Sequence, residues 1–477
     1  MSPGWRHSGS LLAVAVLIGC HGGRRPDSPR PPAPVAPAAF ELHDSETLDA
    51  ATFLNAISDN PRFNAGWSEL RARWRAKFAA DAEAEASLRR WLGTGIQLAY
   101  LLSALPEHRL TATIARLEQP EAVLRDMERG LDEPAYRPIL DRLRTTHADV
   151  RRIFQFLLRH GFLTLRAREY GALRAETRRE LEAALRPIDA ARFRALLEAY
   201  SGRPVPDGRL RLYVLAFARP YCFQLSGFAI GWSKPAGSAP WLLAHELLHK
   251  FNPSRAALEH HRRLRADPFY ARAWDRIYGE YSEGKEEEMV EAAALAVVDE
   301  LGLLSRQRIL RRLKWAYFSP RTQQGGQPLA AILFDELRRA PRPTARFDYN
   351  AFIEQQLRLL APFGRSAVEA RSASGAIHSS TLERRFREII RPISGTAGLS
   401  LDPAPEGARV KGLLPGRAAA AAGLQIGDRV LAVNEVRLAG RDLEAILDLL
   451  AGPPGAARRL EIQRGGERRL VPLRLGE

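Results

Sequence analysis

The sequence predicts an α+β chain in which a helix-dominated unit with a small strand layer is followed by a compact β-rich unit. Three observations carry that prediction. Apolar residues recur at helical spacing from Ser45 to about Tyr200, short apolar strands replace that rhythm between Leu210 and Gly231, and glycine-rich turns separate short strands after Arg391. A chain of 477 residues with 45% hydrophobic content can bury more than one core.

The first twenty residues stand apart from the fold. Arg6 precedes an apolar run, Leu11 to Ile18, which is too short to span a bilayer and has the form of a secretory signal peptide. The run ends in Leu17-Ile18-Gly19-Cys20, which resembles the bacterial lipobox. That resemblance implies removal of residues 1–19, a lipid on Cys20 and anchorage to the membrane of the cell envelope. His21 follows where an acidic residue would mark inner-membrane retention, which implies the outer membrane. Residues 20–41, rich in proline, arginine and alanine, are expected to form a solvated tether. Cys222 is the only other cysteine, so a lipidated Cys20 excludes an intramolecular disulfide.

The formal net charge of +16 comes from 71 basic against 55 acidic residues and favours anionic surfaces and acidic substrates. Nucleic acid is not the expected partner. The arginines are spread along helical stretches such as Arg71 to Arg75 and Arg178 to Arg194, and no finger, basic-zipper or RNA-binding motif occurs.

Residues 42–200 read as a helical half. Patterns such as Ala84, Ser87, Leu88, Trp91 and Leu92 are interrupted at Pro106, Pro120, Pro134 and Pro187. Glycine and proline between Ser201 and Gly208 mark the start of a second region, 201–391. Within it Leu210 to Phe217 and Gly227 to Gly231 read as strands, followed by a loop at Lys234 to Ser238. Ser238 can cap a helix that runs from about Trp241 until Asn252-Pro253 stops it. Further helices are expected over 283–340, interrupted at Ser319 to Gln327, and over 352–360.

The helix after Ser238 carries Ala244-His245-Glu246-Leu247-Leu248-His249. Residues four apart share a helix face, so His245 and His249 can present two imidazole nitrogens to one Zn2+ ion while Glu246 lies beside it. A carboxylate in that place can take a proton from the attacking water and pass it to a leaving amine, which makes Glu246 the candidate catalytic base. Leucines at 243, 247 and 248 bury the other sides of the helix.

A third ligand is expected from a second helix. Lys285-Glu286-Glu287-Glu288-Met289-Val290-Glu291-Ala292 opens an apolar helix, in which Glu287 and Glu291 stand one turn apart. Glu287 is the expected ligand, Glu291 the expected partner of a ligand histidine, and Glu288 the alternative ligand. Glu286 is expected to be a solvated acid favoured by the helix dipole. For the donor to the transition-state oxyanion, Tyr281, Tyr317, His260 and His378 all qualify by residue type.

Ala244 to Pro253 together with Glu287 to Ala292 resembles a family of bacterial gluzincin-like metallopeptidases, over about residues 205–300. The resemblance implies a zincin-like catalytic region with zinc as cofactor. In that family an acid-x-x-Val-x-Ala segment supplies the third ligand, which falls on Glu287; the position of Glu291 is often basic there, a departure in this sequence.

Residues 392–477 resemble a bacterial PDZ domain of the kind attached to periplasmic proteases. The resemblance rests on Val410-Lys411-Gly412-Leu413-Leu414-Pro415-Gly416 and on Ala422-Gly423-Leu424-Gln425-Ile426-Gly427-Asp428-Arg429-Val430. It implies a small β-barrel or sandwich in which a ligand peptide adds as a strand beside Gly398, Leu399, Ser400 and Leu401, with the helix from Asp442 lining a pocket. The expected function is zinc-dependent hydrolysis of peptide bonds in envelope proteins or peptides, with the PDZ module engaging or restraining substrates. The alternative is a catalytically silent, lipid-anchored PDZ scaffold of the envelope.

Overall fold

The structure is a computed structural model that describes residues 40–64, 66–131, 134–205, 210–218, 222–232, 239–280, 285–318, 325–340, 347–360 and 380–476. The signal peptide, Cys20, the loop carrying Ser238, Tyr281 and His378 lie outside the described residues. The chain divides at Gly395 into two compact units.

The helical half and the region after residue 201 belong to one unit, because they share one apolar core. Phe53, on the helix Glu46–Ala56, meets Trp74, Phe162 and Phe217 edge-on with ring centroids 5.1, 5.3 and 5.1 Å apart. The same helix is tied down by a buried charge. Asp49 accepts from the amide of Ala216 and from Nε of Arg166, each at 2.6 Å.

Four strands make the sheet of this unit: β1 (Phe40–His43), β2 (Leu210–Val214), β3 (Cys222–Leu225) and β4 (Ala229–Trp232), in the order β1-β2-β4-β3. β1 and β4 flank β2 in parallel, while β3 runs antiparallel to β4. β3 and β4 are buried throughout, as strands covered on both faces are. β1 corrects the sequence reading, which assigned its residues to the tether and the helical half. Its four residues are too few to display an alternation. Buried Phe40 and the pairing with Leu210 to Tyr213 hold it in the sheet. β3 also went unread, since its run of four buried residues has no alternation either.

Three helices follow in the order that builds the site: a histidine helix (Ala239–Leu248), a glutamate helix (Glu287–Glu300) and an arginine helix (Arg306–Trp315). The histidine helix ends earlier than Asn252-Pro253 suggests. Its last turn tightens, with amides of Lys250 and Phe251 bonding the carbonyls of Leu247 and Leu248. The glutamate helix is buried from Glu287 to Val298 and packs between the histidine helix and Pro328–Arg339. Among the described residues no helix is long and apolar enough to cross a membrane.

The second unit is an antiparallel sheet of β5 (Leu399–Ala404), β6 (Gly407–Leu413), β7 (Arg429–Val433), β9 (Ala457–Arg464) and β10 (Glu467–Arg474), with the short β8 (Val436–Arg437) on β7. Val410, Val430, Val433, Leu460 and Ile462 from the sheet close over Ile446 of the helix Leu443–Leu450, which Asp442 caps. Gly423 and Gly427, in the glycine-rich turns, take left-handed angles, with φ of +80° and +97°. β5 is an edge strand, bonded among the described residues only to β6.

Candidate metal centre

The histidine and glutamate helices bring His245, His249 and Glu287 together, with one donor atom of each within 4.8 Å of the others. His245 Nε2 lies 3.1 Å from Glu287 Oε1, and His249 Nε2 lies 3.6 Å from Glu287 Oε2. Donor atoms around one tetrahedral zinc sit about 3.3 Å apart, so these separations suit a single small cation. Glu287 is 3% exposed, yet its Oε2 has no hydrogen-bond partner among the described residues. A buried carboxylate oxygen left unbonded is costly unless something else satisfies it, and a bound cation would.

The electrostatics follow from burial and close opposite charges. Burial opposes charge on His245, but Glu287 and Glu291 outweigh it and raise its pKa well above the usual imidazole value. Burial works against charge on Glu287 too. There His245, His249 and the Tyr317 hydroxyl win, and the carboxyl falls to about 2. His249 is raised despite burial by Glu286, Glu287 and Glu246.

Glu291 is 1% exposed and sits behind His245, its Oε2 accepting from Nδ1 at 3.0 Å. It also accepts from Trp241 Nε1 at 3.2 Å and, through Oε1, from Arg312 Nε at 2.9 Å. Glu288 is not brought to the cluster. It points about 100° away around the helix, where it accepts from the Tyr270 hydroxyl and, at 3.0 Å, from the amide of Leu329. Glu286 is not a solvated acid: it is half-buried, 3.5 Å from His249 Nδ1, because the histidine helix ends against it. Glu246 is half-buried beside His245.

Of the donors named by residue type, Tyr317 reaches the site, its hydroxyl donating to Glu287 Oε1. Its backbone is left-handed, φ +52°, a conformation that costs a tyrosine energy and is held by the surrounding structure. Sequence reasoning missed Trp241 and Arg312. A partial signal existed for both: Trp241 precedes His245 by one turn, and Arg312 follows the buried Ile309 by three residues on its helix.

In the second unit, Leu399 is half-buried, Ser400 exposed and Leu401 buried along β5, whose outer edge pairs with no strand among the described residues. Gly398 precedes them with φ +69°, and a Cβ there would lie 2.2 Å from Arg417 Cβ. Its carbonyl accepts from Leu414 at 2.8 Å, so the chain turns sharply into the edge strand.

A family model for the PDZ domain matches residues 409–464, so the C-terminal unit is a PDZ domain. No curated protein matches the chain in sequence. Among solved structures, the PDZ domain of a carboxy-terminal protease from Vibrio cholerae, in complex with peptide, is 22% identical over 18% of this chain and 94% of that one, with a TM-score of 0.16. An HtrA-type protease with a decapeptide is 22% identical over 20% of this chain and 35% of that one, with a TM-score of 0.17. An aminopeptidase N family protein from Idiomarina loihiensis is 13% identical over 62% of each chain, with a TM-score of 0.25. The chain thus spans less than two thirds of the last two proteins.

Proposed function

We propose that this chain is a zinc-dependent metallopeptidase of the gluzincin kind, in which His245, His249 and Glu287 hold the metal. The observation that carries the reading is the convergence of these three side chains from two helices, with donor atoms within 4.8 Å of one another and a buried Glu287 oxygen that has no hydrogen-bond partner among the described residues. Zinc, when bound, supplies a Lewis acid for the scissile carbonyl and the attacking water.

The chain's own groups do the rest. Glu246, next to His245, accepts the proton of the attacking water and returns it to the leaving amine. Glu291 fixes His245 from behind. Tyr317, which donates to Glu287 in this structure, is the proposed donor to the oxyanion as it forms. The PDZ domain engages a protein or peptide along the free edge of β5, beside Gly398 to Leu401. Leu17-Ile18-Gly19-Cys20 supports export and a lipid on Cys20, which would place hydrolysis at the cell envelope, on its outer membrane.

Glu246→Gln tests the reaction. It should keep zinc at wild-type content and lose at least about 100-fold in peptide hydrolysis, the scale of a missing general base. A zinc-loaded wild type that cleaves no member of a broad peptide library would refute the enzyme and favour the silent PDZ scaffold.

A further inference from the structure

The hydrogen bonds around Glu291 form a closed set that proton transfer by Glu246 does not require. Trp241 stands one turn before His245 on the histidine helix, and both donate to the same oxygen, Oε2 of Glu291. The other oxygen accepts from Arg312, whose guanidinium lies over the Trp241 ring. Both carboxylate oxygens are thus held from two helices, and the carboxylate cannot turn without breaking one of these bonds.

We infer that Arg312 is a positioning residue for His245. Acting through Glu291, it fixes the imidazole with Nδ1 on the carboxylate and leaves Nε2 as the nitrogen offered to the cation. The inference rests on the reading of His245 as a zinc ligand and assigns a role to a third helix.

Two further observations support the assignment. Glu287 lies one turn from Glu291, so the two buried carboxylates repel, and Arg312 is the cation bonded to Glu291. Besides Arg312, Glu291 accepts from the neutral Trp241 indole and from His245. The same stretch of chain also addresses the second acid, since Tyr317, five residues on, donates to Glu287. Packing alone does not account for this placement. Ile309, Leu310 and Leu313 fill the core from the arginine helix, whereas the Arg312 side chain is 34% exposed.

Zinc affinity measured by chelator competition on the purified full chain, at one pH, tests the inference. Arg312→Met should weaken binding about 10–100-fold, the usual loss when the partner behind a ligand is removed. Arg312→Lys keeps the charge and should fall between the two, and Trp241→Phe should lose several-fold. In the zinc-loaded chain, the low-field Nδ1 proton of His245 should be seen by NMR in wild type and lost in Arg312→Met. Wild-type affinity in Arg312→Met would overturn the inference while leaving the zinc site intact. Arg312→Lys binding no better than Arg312→Met would assign the arginine to packing alone. If Arg312→Met does not fold, Trp241→Phe decides, an unchanged affinity counting against the inference. A wild type that binds no zinc would instead overturn the reading beneath it.

Discussion

On one face of the glutamate helix, Glu287 meets His245 and His249; on the other, Glu288 faces Tyr270, whose hydroxyl also lies 2.7 Å from His261 Nε2. Each face holds a buried glutamate and a buried histidine, but their protonation differs. Against the imidazoles, Glu287 drops to about 2 and His245 rises. On the far face burial dominates, pushing Glu288 up to about 7 and His261 down to about 3. A neutral hydroxyl bridges the second pair, and direct approach charges the first. Residue type alone therefore does not make a candidate cation site: the donor atoms must converge with no proton-bearing group between them.

The largest expected effect probes the far face by acid. His261 has a folded pKa of about 3 against an ordinary 6.5, so the unfolded state binds more protons between those values. Its contribution is complete above pH 6.5 and is lost as pH falls towards 3, a change on the order of 5 kcal/mol. Denaturant unfolding of His261→Gln against wild type should show that acid slope reduced; equal slopes would mean the histidine is not buried neutral.

Glu288 acts in the opposite direction. Its folded pKa of about 7 exceeds the ordinary 4.5, so its contribution is complete below pH 4.5 and lost as pH rises through 7. Glu288→Gln should therefore gain on wild type between pH 4.5 and 8 by on the order of 3 kcal/mol. Tyr270→Phe, which removes the bridge and strands a buried acceptor, should cost about 1–3 kcal/mol near neutral pH. Smallest of all, Glu288→Gln should shift zinc affinity by no more than about twofold, because outer-shell losses of about 10–100-fold belong to groups whose hydrogen bonds lead to a ligand, and those of Glu288 lead to Tyr270 and Leu329 instead. A larger shift would show that the two faces are coupled.

What could be read from the sequence was local. His245, Glu246 and His249 follow from spacing within one helix, and Glu287 and Glu291 from a single turn of another. The turns at Gly423 and Gly427 and the apolar run of β7 expose the PDZ domain for the same reason. Glu288 stayed an alternative because adjacent helical residues point about 100° apart, and only packing against the histidine helix decides which one faces it. Arg312 and Trp241 meet Glu291 across 21 and 50 residues of chain, a proximity that no periodicity encodes. β1 was hidden likewise, its pairing being with strand residues 170 positions away.

Zinc stoichiometry by elemental analysis, on wild type, His245→Ala and Glu287→Ala at near-neutral pH, tests the central claim most directly. One zinc per wild-type chain, lost from both folded variants, is the predicted result; a folded wild type without zinc, or variants that retain it, would contradict the site described here.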